Sequence, residues 1–111
     1  MNKPIYLDYN ATTPHAPEVT EAMRPYIEEH FGNPSSSHLY GNEPKRGIEK
    51  AREQVAGLLQ CVPEEIIFTS GGTESNNHAI KGIAWAMKDK GNHIITSAIE
   101  HPAVLEVCRS L

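Results

Sequence analysis

A chain of 111 residues can form a domain with a modest core and is too short for a large multi-lobed enzyme. Its 39% hydrophobic and 22% charged residues are those of ordinary folded material, which leaves no compositional case for disorder. Ten Lys and Arg against fourteen Asp and Glu give a net charge of -4 with no basic run, which argues against nucleic acid as a partner.

No apolar run approaches the roughly 20 residues that span a bilayer, and the opening "MNKPIYLDYN" lacks the apolar centre of a signal peptide. The expectation is a cytoplasmic protein with no membrane contact. Cys61 and Cys108 are too far apart for a redox pair or a zinc knuckle, so reduced, packed thiols are expected.

In chain order, "IYLDYNATTPHAP" alternates apolar and polar residues and then breaks into small residues and prolines, the pattern of an extended arm ending in a turn. Val19, Ala22, Met23, Tyr26 and Ile27 recur at helical spacing, with Pro25 predicting a bend, and "FGNPSSSH" follows as a loop. A second stripe of Ile48, Ala51, Val55, Leu58 and Leu59, interspersed with charges, predicts an amphipathic helix with those residues inward.

Next, "EIIFTS" reads as a buried strand and "TESNNHAIKGIAWAMKDK" as a helix with Ala79, Ile80, Ile83, Ala84 and Met87 inward. "HIITSAI" then reads as a second strand. Together they predict one right-handed βαβ unit in an α/β fold. Two strands are too few for a free-standing parallel sheet covered on both faces, so the sheet is expected to be incomplete in this chain, which is either a piece of a larger protein or has its edges covered by a partner. Pro102 suits the first turn of a further helix through Val104, Leu105 and Cys108.

Gly71 and Gly72 stand between the first strand and its helix, where missing side chains let backbone N–H groups approach a ligand and a positive helix end favours an anion. A phosphate is the natural occupant. Taken alone, the pair favours a plainer reading, a tight turn with Thr73 or Ser75 as the N-cap. Neither the P-loop pattern nor the dinucleotide fingerprint is present, which argues against ATP and NAD.

His101 follows the second strand, on the same sheet edge as the glycine pair if the strands are parallel neighbours. A lone histidine there is more often a surface or capping residue than a catalytic one, and spacing leaves both readings open. His15, His30, His38, His78 and His93 show no metal-ligand spacing, so no metal site is expected. No serine lies in a nucleophile elbow and no cysteine adjoins a histidine in sequence.

Four ordered motifs, "IYLDYNATTP", "FGNPSSSH", "EIIFTSGGTESNN" and "HIITSAIEHPAV", resemble the N-terminal part of the NifS/IscS-type cysteine desulfurases. That family is similar to the fold-type I aminotransferases, homodimers that bind pyridoxal 5'-phosphate between a large α/β domain and a small one. The resemblance implies an arm at residues 1–15 and the beginning of the large cofactor-binding domain at residues 16–111. By the same likeness Gly72 and Thr73 would hold the cofactor phosphate, and His101 would stack on the pyridine ring and take part in proton transfer. Asn10, Ala11, Thr12 and the loop from Asn33 to Ser35 would line the substrate entrance.

The implied reaction removes sulfur from L-cysteine, giving alanine and a persulfide on an enzyme cysteine. A sulfur-acceptor or scaffold protein of iron–sulfur or other sulfur-transfer pathways is the implied partner. In the family the cofactor-bearing lysine, the aspartate paired with the pyridine nitrogen and the persulfide cysteine lie further along, so these residues alone are expected to be inactive. Lys3, Lys45, Lys50, Lys81, Lys88 and Lys90 read as solvated charges. Two rival readings remain: a non-catalytic module that pairs with a full-length desulfurase, and another class V activity such as selenocysteine lyase or a serine or alanine aminotransferase.

Overall fold

The computed structural model describes residues 4–111. Lys3 and the first residues of the expected arm therefore lie outside the described residues. Among the described residues, four α-helices and one short 3-10 turn make up the regular structure, in two compact units that divide between Ile66 and Ile67.

In the first unit, Tyr6 ties the arm's turn together, donating its hydroxyl to the carbonyl of Asp8 (2.9 Å), which also accepts from the Ala11 amide (3.1 Å). Helix α1, Pro17–Glu28, starts with proline at its first position, where no intrahelical partner for an N–H is needed. Pro25 lies inside it, and the Pro25 carbonyl accepts from both the Glu29 and His30 amides as the helix ends. Helix α2, Leu39–Leu59, begins well before the predicted apolar stripe and runs through Pro44. Its end is a left-handed Gln60, after which the Cys61 amide reaches back to the Ala56 carbonyl (3.0 Å).

The "FGNPSSSH" loop closes tightly on the start of α2. Asn33 accepts from the Ser35 amide through its side chain (2.9 Å) and from the Ser36 amide through its carbonyl (3.0 Å). Pro44 cannot donate to the Tyr40 carbonyl, and Gly32 passes so near that carbonyl that a Cβ would lie 2.0 Å from it. A Cβ on Gly41 would meet the carbonyl oxygens of Ser36 and Asn33 at 2.6 and 2.7 Å. Beyond α2, the Arg52 guanidinium donates to the Ile66 carbonyl, anchoring the chain after the 3-10 turn Pro63–Glu65.

In the second unit, α3 (Gly72–Ala86) packs on α4 (Pro102–Arg109). The last residues of the predicted third helix, from Met87 onward, form a turn instead. Val107 is the buried centre of this packing at 4% exposure, as Ala56 is in the first unit at 1%.

The predicted βαβ unit is corrected here: among the described residues neither "EIIFTS" nor "HIITSAI" forms a strand. A parallel ladder needs neighbouring strands and helices on both faces to bury its side chains, and these segments have neither. Ile95 and Ile99 accordingly stand 88% and 95% exposed. The inward assignments of Leu58, Leu59, Ile83 and Met87 are corrected likewise, because nothing in either unit covers those faces and all four are exposed.

Gly41→Ala should destabilise the complete protein by about 1–3 kcal/mol, since a methyl group there meets backbone rather than a movable side chain. A thermal midpoint equal to that of the wild type would contradict the closure of this loop on α2.

Candidate functional site: the open end of helix α3

The loop before α3 is tied down by its own side chains. The Thr69 and Ser75 hydroxyls are 2.6 Å apart, and each also reaches the Gly71 carbonyl at 3.2 Å. The Glu74 carboxylate turns back to accept from the Ser70 amide (2.7 Å) and the Ser70 hydroxyl (2.6 Å). These hydrogen bonds, led by the Ser70 hydroxyl, hold the Glu74 carboxyl below its ordinary range.

The predicted N-cap is corrected by this arrangement. Gly71 occupies the cap position with no side chain to offer, Thr73 is already inside the first turn, and Ser75 is spent on Thr69 and the Gly71 carbonyl. The amides of Gly72, Thr73 and Glu74 consequently have no acceptor among the described residues. Open space surrounds the position of a Cβ on both Gly71 and Gly72. Three unmatched donors at a positive helix end, with room in front of them, fit a bound anion such as a phosphate group.

Thr73 and His101 line one cleft of about 420 Å³ between α3 and α4. Gly72, one residue earlier, is not on its wall. His101 is the N-cap of α4, its Nδ1 accepting from the Ala103 amide at 3.0 Å, which is the capping reading of its place in the sequence.

Sequence reasoning missed Asn77 and Lys81, which share the cleft with Thr73. All three fall at four-residue intervals along α3, the spacing that stacks side chains on one helix face, and that spacing was the available signal. Asn77 donates to the Thr73 carbonyl at 3.0 Å. Lys81, read from sequence as a solvated charge, is only half-exposed here. Across from them, Glu106 lines the cleft and is ion-paired to Arg109.

The remaining predicted residues belong to the first unit. Asn10, Ala11 and Thr12 are exposed in the Tyr6-tied turn, and Asn33 holds the loop before α2. Among the described residues no cluster of His, Cys, Asp or Glu could hold a metal ion, and no helix is long and apolar enough to cross a membrane.

Because Glu74 titrates below its ordinary value of 4.5, its contribution to the loop is present above that pH and is lost as the pH falls through the lowered folded value. Protection of the Ser70 amide against hydrogen exchange, relative to its intrinsic rate, should therefore fall only in the acid range, with Glu74→Gln removing the pH step. An equal step in the variant would contradict the assignment.

Residues 5–111 match the aminotransferase class-V family. The cysteine desulfurase IscS of Dictyoglomus turgidum is 59% identical over 111 residues, all of this chain and 28% of that relative. A solved NifS-like protein superposes with a TM-score of 0.86 at 44% identity, covering 96% of this chain and 29% of its own. A second solved structure, SspA in complex with cysteine, gives a TM-score of 0.83 at 45% identity over 95% of this chain and 30% of that one. The chain thus spans less than a third of the length of these proteins. With its family match running to the last residue and both glycines of the α3 junction inside it, the chain belongs to the aminotransferase class-V family.

Proposed function

We propose that this chain is the N-terminal part of a pyridoxal-phosphate-dependent cysteine desulfurase, which removes sulfur from L-cysteine to leave alanine and sulfur carried on an enzyme cysteine. The observation that carries the reading is the pairing, within the second unit, of an open α3 N-terminus with a cleft lined by Thr73 and His101. Its relatives' names point the same way.

In this reading the amides of Gly72 and Thr73, with the Thr73 hydroxyl, hold the cofactor phosphate. Neutral donors fixed in a rigid turn bind such a dianion with little reorganisation. His101 stacks against the pyridine ring and holds a proton at the cleft. When bound, the cofactor supplies an electron sink for chemistry at the amino acid. Asn10, Ala11, Thr12 and Asn33 line the substrate entrance, residues 1–15 form an arm, and residues 16–111 begin the large α/β domain, whose sheet the rest of the protein completes. The complete protein works in the cytoplasm as a homodimer and passes sulfur to an acceptor or scaffold protein.

A second reading, a non-catalytic module that pairs with a full-length desulfurase, is favoured by the exposed apolar residues Ile95 and Ile99, since uncovered apolar chain of this kind invites pairing. Co-purification with such a partner without any turnover would select it.

Thr73→Val in the complete protein should weaken cofactor retention by on the order of ten- to a hundred-fold, the loss expected for one hydrogen bond to a charged group. His101→Ala should lower turnover and alter the cofactor's absorbance. Normal absorbance and activity in both variants would refute the site.

A further inference from the structure

His101 is asked to do two things at once, and its two ring nitrogens divide them. Nδ1 accepts the Ala103 amide at the start of α4, while the ring lines the cleft with Thr73. A nitrogen that accepts a hydrogen bond carries no proton, so the neutral ring must carry its proton on Nε2. Among the described residues Nε2 has no partner.

We propose that the Ala103 amide makes His101 a fixed Nε2–H tautomer, so that the ring offers the cleft a hydrogen-bond donor and holds back its basic nitrogen as the cap of α4. Ala103 is then a positioning residue acting through His101. The neutral ring can donate at Nε2, but it can take up a proton only at Nδ1, and doing so breaks the cap. The ligand atom that meets the Nε2 edge of the neutral ring is then an acceptor. Lys81 and Glu106 are the other charged groups on the cleft wall, and Glu106 is already engaged by Arg109. The inference rests on the proposed cofactor site only for what the donor meets; the tautomer itself follows from the capping bond.

The test is a long-range nitrogen–proton correlation spectrum of the complete protein labelled with ¹⁵N-histidine and free of cofactor. His101→Asn, which keeps a capping oxygen but has no Nε2, identifies the His101 signals among those of the six histidines. The expected pattern is one protonated nitrogen at Nε2 and one unprotonated nitrogen at Nδ1, giving way to a tautomer mixture in Ala103→Pro, which lacks the donor. An Nδ1–H tautomer in the wild type, or the same mixture with and without the Ala103 amide, would overturn the proposal. If the predicted tautomer is found and pyridoxal phosphate binds equally to wild type and His101→Asn, the tautomer stands and the cofactor reading falls.

Discussion

The first turn of an α-helix always presents amides with no carbonyl behind them, and a protein must either cap them or use them. In α3 no side chain caps: Thr73 is already inside the first turn, and the others are engaged elsewhere. Glu74 is turned back onto Ser70, Ser75 is held by Thr69 and the Gly71 carbonyl, and Gly71 has nothing to offer. The same bonds that deny the helix a cap tie down the loop before it, and they leave the amides of Gly72, Thr73 and Glu74 open in the way that suits an anion.

Around that end, α3 and α4 share out the rest of the work. Their packing on Val107 sets the cleft, and the Thr73, Asn77 and Lys81 face of α3 supplies one wall. The cap of α4 supplies His101, and one hydrogen bond from Ala103 decides which of its nitrogens faces outward. Helix termini therefore set both polar features of the site: one is left open and the other is closed by the residue that lines the cleft.

Much of this was legible in the sequence. The glycine pair ahead of a helical pattern located the start of α3, and Pro102 located the start of α4, because both residues act through the local backbone. The strands were legible as patterns but not as structures. A run such as Ile94 and Ile95 records what a buried strand needs, whereas forming one depends on neighbours that these residues do not bring. The missing N-cap was not legible either, since "TSGGTES" offers several capping side chains and only the three-dimensional pairing of Glu74 with Ser70 and of Ser75 with Thr69 shows them spent. Asn77 and Lys81 were legible from their four-residue spacing to Thr73, a helical periodicity that polar residues carry as well as apolar ones.

The most direct measurement is a crystal structure of the complete protein grown with pyridoxal 5'-phosphate. The account predicts phosphate oxygens about 3 Å from the Gly72 and Thr73 amides, with the His101 ring against the pyridine. A cofactor phosphate held elsewhere, with water on the first amides of α3, would contradict it.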